Sequence, residues 1–365
     1  SSFFVNPQGG VSTTHSGGLN YVGPWGPRLS VSSSVFLNDT DNQNLQSMSR
    51  QFVPPQDSVA FYDQNTSSTS RNGNQRFEGR VEWTPDSLNS VILQPRLFFQ
   101  HTRSASLGYG SNTSTAGSVL NSASSENASE TSGNNLSNRL TLRHRFAKRG
   151  RNVSAEINAG HTARDGEASQ YSLTEAYTGT GVSADTLDQR SDTEAVTNSL
   201  SSRIAFTEPL AKGFQVQFTY NPSLTRSTSD ARALRFDPLA GDYTAPDSAA
   251  SNSYESRNVV HNGGASVLYT SGPWKLLTSA AYQRSELNSE QTFPEARTVE
   301  RAFEDVLPSV TLSGTFANRR NLRLNWRTST TAPTIGQLQN VLDNSNPLAL
   351  ASGNPSLRQT YNHSF

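Results

Sequence analysis

The residues able to do chemistry in this chain are six histidines, a set of arginines at alternating positions and a large population of serines. His15, His101, His144, His161, His261 and His363 lie far apart, and no two have the short spacing that puts two imidazoles on one metal ion. They are expected at an interface or in a lumen, and neither a metal nor any other cofactor is expected. Asp39, Asp41 and Asn44 copy part of a calcium loop, but the glycine and the closing glutamate are missing, so a solvated segment is the expectation. No serine occupies a Gly-x-Ser-x-Gly elbow, and the chain reads as a non-enzyme. Arg80, Arg139, Arg143, Lys275 and Arg323, with Arg145 and Arg327, alternate with apolar residues. If they line a lumen they attract anions. The competing reading is ordinary charged residues paired with Glu78 or Glu82, and both stand.

These side chains need strands to position them, and the stretch Gly264 to Gln283 shows the pattern. Ser271, Gly272 and Pro273 make a turn. Ala265, Val267 and Tyr269 alternate with polar residues before it; Trp274, Leu276, Thr278, Ala280 and Tyr282 do so after it. The outgoing face begins and ends on an aromatic. It spans about 26 Å along the strand, or about 20 Å of height when tilted, which suits the apolar band of a membrane barrel with two aromatic girdles. Leu268 and Leu277 fall on the polar face, and soluble sandwiches alternate too.

Composition narrows the choice. Only 33% of the 365 residues are apolar, too few for a doubly covered parallel sheet but adequate for a barrel with a wet interior. Thirty basic residues balance thirty acidic ones, so nothing recommends nucleic acid as a partner. There is no cysteine, hence no disulfide or thiolate site. No apolar run is long enough for a membrane helix, so a bilayer would be crossed only by a closed barrel. Ser1 to Pro7 hold no charged segment followed by an apolar one, and a signal would lie upstream.

The alternation recurs along the chain. Val11 to Tyr21 leads to a turn at Gly23 to Pro27, and Leu29, Val31, Val35 and Leu37 return. Phe77, Val81 and Trp83 oppose Arg76, Glu78, Arg80 and Glu82; Val91, Leu93, Leu97 and Phe99 follow, with Pro95 calling for a bulge. Leu140, Leu142 and Phe146 lead to a charged turn at Lys148 to Arg151, then Val153, Ala155 and Ile157. Ile204 and Phe206 lead to a turn at Pro209 to Gly213, then Phe214, Val216, Phe218 and Tyr220. A last hairpin joins Val306–Phe316 to Leu322, Leu324 and Trp326. Polar loops are expected at Asn38–Asn74, Ser104–Asn138, Thr162–Asn198 and Pro222–Asn262. Short turns recur roughly every sixty residues, each followed by a polar stretch. Twelve strands in six hairpins result, with a thirteenth beginning near Tyr361.

The wording from Phe303 onward is specific. Phe303-Glu304-Asp305-Val306-Leu307-Pro308-Ser309-Val310 is followed by Asn321 to Trp326 and then by Ala332 to Leu357, which includes Pro333, Gln337, Leu338, Asp343, Asn344, Asn346, Pro347, Gly353, Asn354, Pro355 and Leu357. It resembles the outer-membrane β-barrel family related to TonB-dependent receptors, although Gln359-Thr360 replaces the usual Pro-Glu after the Leu-basic pair. Gly18-Leu19-Asn20-Tyr21 and Leu140 to Arg151 resemble it less strongly. The resemblance implies an extracellular loop leading into a descending strand, and a receptor or transporter for a polar ligand. It also implies upstream plug and N-terminal parts, absent from this chain, that would engage an energy-coupling inner-membrane complex.

The expected fold is therefore all-β: residues 1–365 as one partial antiparallel transmembrane β-barrel domain, with short periplasmic turns and long extracellular loops, in the outer membrane of a Gram-negative bacterium. Trp83, Phe214, Phe218, Tyr269, Trp274, Tyr282, Leu322, Leu324 and Trp326, with Phe77, Val81 and Leu276, are expected to face the lipid bilayer. Arg80, Gln215, Lys275 and Arg323 are expected to face inward. A passive porin, an adhesin-like barrel and, less favoured, an outer-membrane lipase are the alternatives. A fragment with an open or jointly completed sheet is the further expectation, since an open edge leaves backbone groups that hydrocarbon cannot satisfy.

Overall fold

Side chains that alternate between apolar and small polar types leave extended strand as the conformation that pairs most of this backbone, and the chain folds accordingly. The computed structural model describes residues 9–56, 59–179, 181–316, 320–331, 333, 337, 342–343, 351–352, 354 and 356–365. Its strands are β1 (Val11–Pro24), β2 (Leu29–Gln56), β3 (Val59–Trp83), β4 (Asn89–Ser114), β5 (Val119–Arg145), β6 (Asn152–Thr178), β7 (Gly181–Ala211), β8 (Phe214–Tyr220), β9 (Ser223–Asp237), β10 (Asp242–Pro246), β11 (Asn252–Ser271), β12 (Trp274–Phe293), β13 (Arg297–Phe316), β14 (Arg320–Thr331), β15 (Leu342–Asp343), β16 (Ala351–Ser352) and β17 (Thr360–Ser364).

One antiparallel sheet runs in the order β1 to β8, then β11 to β14 and β17, so that chain neighbours are also spatial neighbours. β9 extends β8. Both pair with β7 and β11, and the register passes from Ile204↔Tyr220 to Ser201↔Ser223 without a slip. Pro222, which has no N–H, sits in the break, bridged by Ser202 N donating to Pro222 O at 2.9 Å and Asn221 N donating to Asn262 O at 2.7 Å. The wall thus counts thirteen strands, matching the twelve plus one expected. β10 is a short excursion paired with β9. Among the described residues β1 and β17 each have one paired neighbour and do not pair with each other.

The two ends of the wall differ. At one end the turns are tight: Ser271 pairs with Trp274 around Gly272 and Pro273. Gly272 has a φ of +55°, which suits the first of two hairpin residues, and proline fixes the second. At the other end the expected polar loops are mostly strand. β2 to β7 are 25 to 31 residues long, so 38–56, 59–74, 104–138, 162–179 and 181–198 form the far halves of paired hairpins, and 222–262 holds β9, β10 and the start of β11. The reason is chemical. With polar residues on both faces a strand has no visible period, yet its backbone pairs fully and its hydroxyls and amides bond across strands, as Ser104 Oγ and Ser129 Oγ do at 2.8 Å and Thr197 Oγ1 and Ser227 Oγ at 2.9 Å.

Pro95 needs no bulge. The β3–β4 register stays in step from Glu78↔Arg96 to Val81↔Leu93, and Gly79 makes the room: a Cβ there would lie 3.1 Å from Pro95 Cγ.

Directly paired residues share a face, so one row can be followed across the sheet: Leu29, Trp83, Val91, Leu142, Ala155, Ile204, Tyr220, Gly263, Tyr282, Val306. Between β3 and β4 this row is the last before the turn, whereas between β11 and β12 it lies eight residues from the last pair, Ser271↔Trp274. Eight residues of climb over six strand spacings correspond to a tilt of about 40°, the value membrane barrels use.

Candidate functional site

Two faces of one wall carry the chemistry. The apolar face gathers the predicted lipid residues without exception: Phe77, Val81 and Trp83 connect through the paired rows to Phe214, Phe218, Tyr269, Trp274, Leu276, Tyr282, Leu322, Leu324 and Trp326. Its large side chains are uncovered, with Leu324 57%, Phe218 55% and Tyr282 50% exposed. The buried apolar residues are only Ala60, Ile92, Ala205, Ala233 and Leu287 among those described. That distribution is the inverse of a two-layer sandwich with a dry core, so the apolar face has another apolar phase as its natural contact.

Aromatic residues mark both limits of this band. Trp25, Trp83 and Trp274 stand near the tight turns, with Trp25 Nε1 donating to Tyr21 OH at 2.8 Å; Phe99, Tyr220 and Tyr282 stand toward the other end. At the turn-side edge, one residue past the last β6–β7 pair Asn152↔Thr207, Lys148 and Arg151 clamp Glu208, at 2.6 Å each. Their hydrogen bonds, Arg151 foremost, hold the Glu208 carboxyl down at about 2.

The opposite face carries the predicted inward residues. Arg80, Arg139, Arg143, Gln215, Lys275 and Arg323 all occupy its rows. The structure brings them together in two groups. On β3 to β7, Arg80 pairs with Glu82 at 2.8 Å, Arg76 with Glu78 at 2.7 Å, and Arg139 lies 3.5 Å from Glu156. Arg143 and Arg203 make no ion pair among the described residues, although Arg203 stands opposite Glu156 in register. On β12 to β14, Lys275 and Arg323 both pair with Ser313, and Arg327 pairs with Ser309; these three cations also lack an ion pair among the described residues. Between the groups, β8 and β11 present Gln217, Thr219 and Ser266, with Gln217 Nε2 donating to Thr207 Oγ1 at 3.0 Å. Leu268 and Leu277, apolar residues on this face, form a cross-strand pair. The sequence reading missed Arg203, although its place between Ser202 and Ile204 in the alternation of β7 marks it as inward.

Farther from the turns the inward face holds fewer charges, Arg164 and the Arg235–Asp247 pair among them. Asn42, Ser70, Ser104, Ser129, Ala168 and Ser191 form one row across six strands. A concavity of 390 Å³ opens beside them, with Gln170 and Gln189 on its wall, at the small end of the range for ligand pockets. The outward face at that height holds the charges instead. Asp41, Arg71, Arg103, Glu130, Glu167, Asp192 and Arg232 follow each other in one row, and Arg103 donates to Glu130 at 2.9 Å. Asp39 is held by Arg71 at 2.7 Å, so a charge pair occupies the segment that resembled part of a calcium loop.

Of the motif near the C-terminal end, Pro333, Gln337, Asp343, Asn354 and Leu357 are described, whereas Leu338, Asn344, Asn346, Pro347, Gly353 and Pro355 lie outside the described residues. Asn354 N donates to Gln337 O at 2.6 Å, and the Asn354 side chain accepts from Ser356 N at 2.9 Å, a local turn that precedes β17. β15 and β16 pair within the same excursion.

Comparison with known proteins adds one finding and one absence. The profile described as the outer membrane protein beta-barrel family matches residues 144–365, more than half of the chain. No curated protein matches.

Proposed function

The chain belongs to the outer membrane protein beta-barrel family and resides in the outer membrane; from that premise we propose that it is the wall of a receptor or transporter that takes up a polar, negatively charged ligand in the manner of TonB-dependent receptors. The observation that carries this reading is the inward face at the height of the apolar band, where Arg143, Arg203, Lys275, Arg323 and Arg327 make no ion pair among the described residues. Cations on a wall backed by hydrocarbon concentrate anions, because the low-dielectric surroundings weaken their screening. The uncharged hydroxyl and amide rows farther out supply donors and acceptors without holding the ligand by charge, so they suit a path as well as a binding surface. The apolar face meets the lipid bilayer. Phe303 to Leu357, the stretch that resembles the outer-membrane β-barrel family related to TonB-dependent receptors, favours a receptor over a passive porin or an adhesin-like barrel. It also implies energy coupling through an inner-membrane complex. We assign the wall no reaction of its own.

Uptake of small organic phosphates and carboxylates by cells producing the protein, measured with and without an inner-membrane proton gradient, tests the reading. Gradient-dependent accumulation that favours anions over neutral solutes of equal size is expected. Equal, gradient-independent entry of both would make the protein a porin.

A further inference from the structure

The six histidines, scattered in sequence, all stand on the outward face. His15 pairs with Asp39, His101 follows Phe99 on β4, His161 pairs with Leu136, His261 sits beside Tyr220, and His363 pairs with Thr328 next to Trp326. These five, on β1, β4, β6, β11 and β17, lie where the apolar band ends on the side away from the tight turns. His144, between Leu142 and Phe146, alone marks the turn side. A barrel built only for mechanical anchorage would be expected to carry tyrosine and tryptophan at this depth. Imidazole resembles them in having an apolar body and a polar edge, and it adds a charge that switches.

Three of these imidazoles use Nδ1 in a hydrogen bond within the wall. His101 Nδ1 is 2.9 Å from Ser132 Oγ, His161 Nδ1 is 2.8 Å from Asn198 Oδ1, and His261 Nδ1 is 2.7 Å from Tyr220 OH, with the His261 and Tyr220 rings stacked at 6.2 Å. Because an amide oxygen only accepts, His161 Nδ1 carries the proton, and its Nε2 has no partner among the described residues. Such a nitrogen donates to an anion only after taking up a second proton.

We propose that this belt docks the phosphate groups of outer-leaflet lipid headgroups, and that the contact strengthens as the imidazoles gain protons. The inference rests on the outward face meeting lipid, and not on what the lumen carries. The surrounding charges fit a phosphate at this height. His101 faces Gly73 and Ser132, with Arg71, Arg103 and Glu130 one row farther out; its Nε2 is 3.4 Å from Glu130. His161 faces Leu136 and Asn198, with Asp165 farther along its own strand and Arg226 beside Asn198. His261 pairs with Arg284, which is itself bound by Glu286 and Glu304. His15 faces Asp39, and His363 lies between Trp326 and Tyr361. The arginines here are mostly neutralised by neighbouring carboxylates.

The full-length protein in phosphatidylcholine vesicles, probed with spin-labelled phosphatidic acid, spin-labelled phosphatidylcholine and a spin-labelled fatty acid, tests this between about pH 5 and about pH 8, the range in which imidazoles titrate. Preference for phosphatidic acid over the other two is expected at the acid end and is expected to fade at the alkaline end. The lipid phosphate gains negative charge in that direction, so the fading would come from the protein. The triple variant His101→Gln, His161→Gln, His261→Gln should lose the preference, and the corresponding arginine variant should show it at both ends. If either triple variant fails to fold, His261→Gln and His261→Arg must still differ in the same sense. A preference that is unchanged in the glutamine variants, or that extends equally to the fatty acid, would overturn the proposal. So would abolition by soluble inorganic phosphate alone, which would make the belt a site for free anion.

Discussion

Gly264 on β11 lies directly opposite Ala281 on β12, so close that a Cβ on the glycine would fall 2.7 Å from the alanine Cβ and 2.6 Å from the Ala280 carbonyl oxygen. No real side chain tolerates either distance, and the carbonyl belongs to backbone that cannot swing away. Gly264→Ala should therefore destabilise the wall by about 1 to 3 kcal/mol, the usual cost of overpacking. Ala281→Gly in the same chain should recover only part of that, because the carbonyl remains. Urea unfolding in detergent micelles checks this. A Gly264→Ala protein that unfolds at the parent midpoint would show that the strands part more easily than their register implies.

Leu324 and Arg323 are chain neighbours on opposite faces, Leu324 paired with Leu312 and Arg323 with Ser313. Leu324 lies four residues above the last pair of its hairpin, Phe316↔Arg320, which at this tilt is about 10 Å into the band. Leu324→Arg should cost about 2 to 4 kcal/mol of folding in the membrane. In single-cysteine proteins, a hydrophilic thiol reagent should label Arg323→Cys in intact vesicles and leave Leu324→Cys largely unlabelled. Equal labelling would mean that the faces are exchanged.

Glu208 ties β7 to the turn between β5 and β6, and its carboxyl is lowered from 4.5 to about 2 by hydrogen bonds from Arg151 and Lys148. A carboxyl depressed in the folded state stabilises wherever it is ionised in both states, so its contribution is complete above about 4.5 and disappears as the pH falls toward about 2. Unfolding midpoints measured across that window should fall more steeply for the parent than for Glu208→Gln. Parallel curves would remove Glu208 from the account.

How much of this was legible in the sequence follows from where a period can be seen. The band was legible because Phe77, Val81 and Trp83 alternate with Arg76, Glu78 and Arg80, and period two fixes a face without any structure. The outer halves of β2 to β7 were not, because Ser68, Thr69 and Ser70 say nothing about which way each points. Pro95 looked like an obstacle only while Gly79, sixteen positions earlier in the chain, could not be seen beside it. The histidines illustrate the same limit for a site. His161 and His261 have no relation in sequence, and only the cross-strand register brings both to the outward face.

The last prediction concerns the inward cations. Arg80 and Arg139 are balanced by Glu82 and Glu156, whereas Arg143 on β5 and Arg203 on β7 are not balanced within the described wall, although Arg203 pairs in register with Glu156. Glu156 is drawn toward Arg139 on its other side, 3.5 Å away, so one carboxylate faces two arginines. Neutralising the unpaired cations should then act in one direction and freeing a paired one in the other. Arg143→Gln with Arg203→Gln should lower the anion preference of the reconstituted full-length protein by roughly several-fold, and Glu82→Gln, which releases Arg80, should raise it. Reversal potentials under a salt gradient give the sign directly. The difference should shrink from about 0.1 M to about 1 M salt, as screening shortens from about 10 Å to about 3 Å. If both variants shift the preference the same way, the inward arginines act through the shape of the wall and not through its charge, and the anionic character assigned to the ligand fails with them.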